Sequence, residues 1–338
     1  MRVGITYDLR NDYLDRGFTE EETAEFDHVD TIDAIDGALL ELGHETVRIG
    51  NVRRLASRLV AGERWDMVFN IAEGLRGFGR EAQAPALLDA YDIPYTFSDP
   101  LVLSLTLHKA LTKRVIRDLG LPTPEFRVVE EESDAVQMDL PFPLFAKPVA
   151  EGTGKGINTA SKIRGKDELV SVCRDLLQTY RQPVLVESFL PGRELTVGVL
   201  GTGAASRVLG VMEVILKSER ESGWYSYHEK ENWRALVSYR LASDVTAVAA
   251  AETALALWRG IGGRDGGRID LRADDKGVPN LLEVNPLAGL HPGHSDLCLL
   301  ADLTGMSYVA LIGEIMNSAS ARISGAGFGP GERGWTTA

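Results

Sequence analysis

The sequence predicts an α/β protein whose C-terminal half is of α+β character. Two observations carry this. Over about the first hundred residues, short apolar runs alternate with helical stripes, the pattern of a parallel sheet flanked by helices. Near the C-terminus, residues 268–272 and 280–284 alternate in polarity on either side of Asp274-Asp275-Lys276-Gly277. That is an antiparallel hairpin closed by Asp/Gly turn chemistry.

Each element follows from local pattern. Residues 3–7 read as a first buried strand, and the polar, acidic stretch 10–27 as a loop. Ile32, Ile35, Leu39 and Leu42 form the apolar stripe of a helix over 30–42, which Gly43 stops. A strand over 45–49, a helix over 53–60, a strand over 65–70, a helix over 81–91 and a short strand over 93–95 complete the alternation. No GxGxxG follows the first strand, which argues against dinucleotide binding. A helix over 103–119 ends at Gly120, the stop reinforced by Leu121-Pro122-Thr123-Pro124. Lys109 and Lys113 lie four residues apart on one face of it, as surface lysines or as a functional pair.

A strand over 141–148 carries Lys147 near its end, and EGTGKGI (151–157) follows. Gly152, Gly154 and Gly156 let backbone N–H groups turn toward an anion, and Lys155 and the Thr153 hydroxyl add donors. The spacing is not that of a Walker P-loop. Alone, the stretch is an idle hairpin tip or a flap over a triphosphate; the cation at Lys147 favours the flap. A helix over 166–180 and strands over 184–187, 195–200 and 208–216 come next. Glu187, leaving a strand ahead of apolar residues, suits the edge of a purine, and Glu194 the hydroxyls of a ribose; either alone is equally a solvated strand end. A polar, aromatic loop over 219–232, an Ala-rich helix over 247–258, the hairpin, a Gly/Pro/His loop over 290–295 and a helix over 308–316 follow. The Gly-rich tail from Ser324 is expected to be disordered.

Composition narrows the function. The chain has 338 residues, enough for two or three domains. Its net charge of −13 argues against nonspecific nucleic-acid binding, which needs a basic surface. Cys173 and Cys298, the two cysteines, fit no metal spacing and read as buried thiols of a reducing compartment. No apolar run approaches the ~18 residues of a membrane span. The N-terminus has no signal-peptide core, so a cytoplasmic location is the default expectation.

The hairpin holds the chemistry. Side chains alternate along a strand, so Arg268, Asp270 and Arg272 share one face of the first strand and Glu283 and Asn285 one face of the second. Pairing brings two carboxylates and an amide to one spot. Such oxygen ligands suit Mg²⁺ held jointly with substrate phosphates, with Arg268 one step along to meet an anion. Taken alone, the same face is the solvated side of an edge hairpin.

As an ordered set, HKALTK, LGLPTP, FAKPVAEGTGKGI, VLVESFLPGRELTVGVL, RIDLR and LLEVNPLAGL followed by Ser295 resemble the ATP-grasp superfamily. Within it they resemble the D-alanine–D-alanine ligase-like carboxylate–amine ligases, over about residues 1–320. The resemblance implies an ATP-grasp fold with a Rossmann-like parallel-sheet domain at residues 1–103. It implies a central domain at 104–186 and a C-terminal domain at 187–322, with ATP between them and a flexible tail at 323–338. It implies phosphate-binding roles for Lys109, Lys147 and Lys230, a flap from Glu151 through Gly152, Thr153, Gly154 and Gly156, an adenine hinge at Glu187 and Leu190, and a ribose contact at Glu194. Asp270, Glu283 and Asn285 resemble the ligands of two Mg²⁺ ions, with Mn²⁺ as a substitute. Arg268 and the Gly289 N–H resemble an oxyanion site, and Ser295 a contact to the carboxylate of the second amino acid. Small amino-acid substrates and a homodimer are implied in turn.

The differences from the family pattern lie around the amino-acid pockets. No GGxSxEREVS stretch occurs in residues 1–30, so Glu25 is the candidate for the first substrate, with Asp27 beside it. NIAEGLRGFGREAQAP replaces HGxxGEDG, with Glu81 near the expected acid and Arg80 an added cation. Glu231 rather than tyrosine follows Lys230, and NPLAGLHPGHS replaces NTSPGMTSHS. The expected chemistry is ATP-dependent joining of two amino acids through an acyl-phosphate, by a D-alanine–D-alanine ligase or a relative with other substrates. An ATP-grasp reaction of another outcome and a non-catalytic nucleotide-binding regulator are the alternatives.

Overall fold

The computed structural model describes residues 1–216 and 237–325. Its elements are, in order, β1 (Arg2–Tyr7), α1 (Arg10–Leu14), α2 (Val29–Glu41), β2 (Glu45–Gly50), α3 (Val52–Val60), β3 (Met67–Ile71), α4 (Gln83–Ala90), α5 (Pro100–Leu107) and α6 (Lys109–Asp118). Then come β4 (Phe126–Val129), α7 (Glu132–Val136), β5 (Leu144–Pro148), β6 (Lys162–Ile163), α8 (Lys166–Tyr180), β7 (Val184–Ser188), β8 (Glu194–Leu200) and β9 (Arg207–Leu216). The last are β10 (Val237–Leu241), α9 (Val245–Ile261), β11 (Gly266–Ala273), β12 (Pro279–Asn285), α10 (Asp296–Leu303) and α11 (Tyr308–Gly325).

They build three sheets. The first is parallel, in the order β2-β1-β3. Its central strand is buried on both faces, as a strand flanked by helices must be. The second is antiparallel, in the order β4-β7-β5-β6, and packs Leu169, Cys173 and Leu176 of α8 against Ala146 and Val186. The third is antiparallel, in the order β10-β9-β8-β11-β12. Helix α9 covers one of its faces with Ala247, Ala250, Ala254 and Leu257. Asp244 caps that helix by accepting from the Thr246 and Ala247 N–H groups, and Gly262, left-handed at φ 77°, ends it. Helix α11 ties the ends of the chain together. Its Leu311, Ile312 and Ile315 join Val3, Ile5 and Phe69 of the first sheet and Leu200 of the third in one core. Among the described residues no single helix is long and apolar enough to cross a membrane.

Four expectations change. The stretch 10–27 is not all loop, because Tyr13, Phe18 and Phe26 gather into an aromatic cluster that folds α1 down. The helix expected over 103–119 is two. His108 leaves helical geometry at φ −91°, ψ 88°, and its Nδ1 accepts from the Leu111 N–H to start α6 afresh. The last helix runs to Gly325 rather than stopping at 316. Its buried stripe continues to Ala319, and Arg322 is anchored on Asp265 and the Tyr95 carbonyl, so the tail cannot begin at 323 or at Ser324. Helix α10 and the pair β4–α7 carry too short a pattern to have been anticipated. The loop over 219–232, and Lys230 with it, lies outside the described residues.

Candidate active site

The hairpin β11–β12 is the floor of the site. Arg268 pairs with Asn285 across it and Asp270 with Glu283, so the four side chains emerge on one face. A bulge follows Asp270, where Leu271 faces Leu281 and Leu282 is the extra residue. Asp270 accepts from Thr196 Oγ1 at 2.9 Å and Asn285 Nδ2 at 3.3 Å, and it is ion-paired with Arg268. Burial raises the Asp270 carboxyl and Glu283 adds to that; Arg268 opposes both. The face is therefore not the solvated side of an edge hairpin.

Both lysines of α6 turn inward. Restarting the helix at His108 aims Lys109, 5% exposed, at Glu283 Oε1, 3.4 Å away, and at the Glu151 carbonyl. Lys113, fully buried, donates to Thr123 Oγ1 at 2.8 Å and the Leu281 carbonyl at 3.2 Å. It also meets Glu187 at 2.7 Å, and Lys147 meets the other oxygen of the same carboxylate at 2.8 Å. Glu187 is thus no solvated strand end: it is 3% exposed and holds two ammonium groups. Burial acts to raise its carboxyl, but the two lysines outweigh this and hold it down at about 2. Burial pulls Lys113 down to about 8 against the pull of Glu187. Leu190, half-buried, lies just beyond, and Glu194 accepts from Arg272 Nη1 at 3.1 Å.

The glycine loop lies folded against the N-terminal part of the chain. Thr153, Gly154 and Gly156 are all left-handed, which only the glycines adopt without strain. The Gly152 N–H donates to Glu25 Oε1 at 2.6 Å, and a Cβ at Gly152 would stand 2.4 Å from that oxygen. Lys155 reaches Glu25 Oε2 at 3.2 Å and pairs with Glu151. Arg80 grips both Glu25 oxygens at 3.1 Å and the Ala150 carbonyl at 2.9 Å. Burial would raise Glu25, yet Arg80 and Lys155 keep it low. The Thr153 hydroxyl oxygen is buried with no hydrogen-bond partner among the described residues.

One cavity of about 110 Å³ joins these parts, lined among others by Glu73, Glu81, Lys109, Thr153, Arg268 and Gly289. It is smaller than the ~300–1,000 Å³ of a pocket for drug-sized ligands, so it suits a compact substrate. Ser295, just past its rim, accepts from the His291 N–H at 3.0 Å and sits against Gly289. Arg80, Lys113 and Glu73 were not among the expected site residues. The spacing of Lys109 and Lys113 hinted at one of them, and the departure at NIAEGLRGFGREAQAP marked Arg80 as an added cation. Among the described residues no three or more His, Cys, Asp or Glu side chains converge as in a transition-metal centre. Two carboxylates and an amide on the hairpin are the hard-oxygen set present.

The profile of a family described as "D-ala D-ala ligase C-terminus" matches residues 115–317. A D-alanine–D-alanine ligase of Bordetella petrii is 33% identical over 294 residues, 86% of this chain and 83% of that protein. The chain belongs to the D-alanine–D-alanine ligase family. It is therefore an ATP-dependent carboxylate–amine ligase, and the non-catalytic alternative falls. An uncharacterized protein of Sinorhizobium fredii, y4sG, is 33% identical over 313 residues, 87% of this chain and 89% of that one. The ATP-grasp fold agrees with the D-alanine–D-alanine ligase of Bacillus anthracis complexed with ATP, at a TM-score of 0.73 and 20% identity over 97% of this chain and all of that one.

Proposed function

We propose that this ligase joins two small amino acids, as a D-alanine–D-alanine ligase or a close relative with other substrates. One observation carries the reading: Arg268, Glu283 and Asn285 of the hairpin line the same cavity as Gly289, Lys109 and the glycine loop, with Asp270 paired to Glu283 and bonded to Arg268 and Asn285.

The nucleotide would lie between the units of residues 104–186 and 187–322. Lys109 and Lys147 meet its phosphates, Glu187 and Leu190 border the adenine, and Glu194 meets the ribose. Lys230 is a further phosphate lysine on the family resemblance alone. Glu151, Gly152, Thr153, Gly154 and Gly156 close over the phosphates and exclude water. Asp270, Glu283 and Asn285 fit two Mg²⁺ ions, or Mn²⁺, by donor chemistry, since all offer hard oxygens. Bound there, the ions would neutralise phosphate charge and template the transfer.

The carboxylate of one amino acid attacks the γ-phosphorus of ATP, forming the acyl–O–P bond and releasing ADP. The amine of the second attacks the acyl carbon, and the resulting tetrahedral oxyanion lies against Arg268 and the Gly289 N–H. Its collapse expels phosphate, leaves the amide and releases the amine proton. Glu25 and Glu81 stand on the first substrate's side, and Ser295 on that of the second carboxylate. A homodimer in the cytoplasm belongs to the same reading and rests on family membership.

The test is a panel of D- and L-amino acids, scored by phosphate release from Mg·ATP with mass spectrometry of the products. Release that depends on two amino acids and yields a dipeptide is expected. Release with a single substrate and no amide would sink the reading.

A further inference from the structure

Lys113 has no part in the reaction as described, yet its side chain is wholly buried. With no exposed surface, it cannot itself touch a ligand. Three groups hold its ammonium: Thr123 Oγ1 at 2.8 Å, the Leu281 carbonyl at 3.2 Å and Glu187 Oε2 at 2.7 Å. The first two are neutral acceptors that fix its place. Glu187 is the charge it meets directly, and the other oxygen of that carboxylate meets Lys147 at 2.8 Å. Lys147 lies near the end of β5 and feels Glu283 and Asp270 of the hairpin as well as Glu187. Two ammonium groups thus share one carboxylate, and the buried cluster keeps a net positive charge. The fold does not require Lys113. A buried ammonium costs more to desolvate than an apolar side chain of similar length. Without it, Glu187 would stay paired with Lys147, and Thr123 Oγ1, which donates to the Leu281 carbonyl at 2.8 Å, would keep that carbonyl satisfied.

Resting on the ligase reading, in which Lys147 meets the phosphates of ATP, we propose that Lys113 is a positioning residue that keeps Lys147 available to them. It does so as a second counter-ion on Glu187. With Lys113 in place the carboxylate is shared, and the cluster presents a net positive charge to an incoming phosphate. Without it, Glu187 and Lys147 close into a neutral pair. The phosphate must then compete with Glu187 for one ammonium, and it meets the carboxylate's own charge where water screens little. At pH 7 Lys113 supplies that charge, because burial lowers it only to about 8. The four-residue spacing on α6 therefore divides the work: Lys109 faces the cavity, and Lys113 supports the cation of β5 through the carboxylate of β7.

The test is a double-mutant cycle read by equilibrium binding of Mg·ATP to the full chain, with Lys113→Met, Lys147→Met and the double variant. Lys147→Met should weaken binding about 10- to 100-fold, the loss of one charge-assisted contact. Lys113→Met should weaken it about 5- to 50-fold in the otherwise wild-type chain, but less than about twofold when Lys147 is already Met. Lys113→Gln keeps a hydrogen-bonding side chain and deletes the charge; it should lose as much as Lys113→Met, and it carries the test if the Met variant does not fold. The amino-acid KM values of the Lys113 variants, at saturating ATP, should stay within about threefold of wild type. Lys113 variants that bind Mg·ATP within twofold of wild type would overturn the inference and leave the ligase reading standing. So would an effect of Lys113→Met that persists undiminished beside Lys147→Met, or an equal rise in the amino-acid KM values, since either marks a general structural role. Unchanged binding in Lys147→Met would instead remove the phosphate role of Lys147 from the ligase reading, and this inference with it.

Discussion

Glu187→Gln tests the electrostatic keystone of the proposed nucleotide side. The carboxylate is 3% exposed and is held between Lys113 at 2.7 Å and Lys147 at 2.8 Å. Gln keeps the shape and deletes the charge, leaving two buried ammonium groups facing a neutral amide. Two routes give the cost. The carboxyl is lowered from 4.5 to about 2, and at ~1.4 kcal/mol per unit that is roughly 3 kcal/mol. Breaking a buried ion pair by removing one partner costs about 3–5 kcal/mol. The lower figure governs, because Lys113, already pulled down to about 8, can shed its proton. The sign follows from the lowered value. Stability is fully present above about pH 4.5 and is lost as pH falls through the folded value near 2. Urea denaturation of wild type and variant should differ by roughly 3 kcal/mol at pH 7, with the gap narrowing below about pH 4.5. Lys113→Met added to Glu187→Gln should recover part of the loss. A variant within about 0.5 kcal/mol of wild type at pH 7 would show that the two lysines do not depend on this carboxylate.

Three further outcomes follow from the site. Arg268→Ala removes the proposed oxyanion donor and should lower kcat about 10²- to 10³-fold with the KM for ATP little changed; near-normal turnover refutes the role. Gly152→Ala sets a Cβ 2.4 Å from Glu25 Oε1, so the contact between the glycine loop and Glu25 must shift. Phosphate release uncoupled from amide formation should then rise severalfold, and tight coupling in the variant would show that the Gly152–Glu25 contact does not serve to exclude water. Burial raises Glu81 to about 8, so its folded-state carboxyl resists ionisation and wild-type stability declines as pH climbs from 4.5 through 8. Glu81→Gln should be the more stable protein at pH 8.5, and the difference should vanish by about pH 4.5; equal melting at both pH values contradicts this.

How far the sequence reaches depends on the range of the interaction. Alternation and turn chemistry act between near neighbours. They suffice for the parallel sheet of the first hundred residues, for α8 over Lys166–Tyr180, and for the hairpin that pairs Asp270 with Glu283. Boundaries set by distant partners were not legible. His108 breaks a helix whose own pattern runs on, since the Lys109 N–H is claimed by the Val149 carbonyl 40 residues away in sequence. Arg322 extends α11 because Asp265 and Tyr95 hold it from other parts of the chain. The identity of the acidic and cationic side chains on the hairpin face was therefore fixed locally, by residue type and strand parity. Which charges are spent and which are spare was decided only by tertiary structure. Glu25, Glu73 and Glu81 are chemically alike in sequence. Folding brings Arg80 and Lys155 to the first and leaves the other two facing the cavity, because an ion pair forms by proximity in space, and burial sets what an unpaired charge costs.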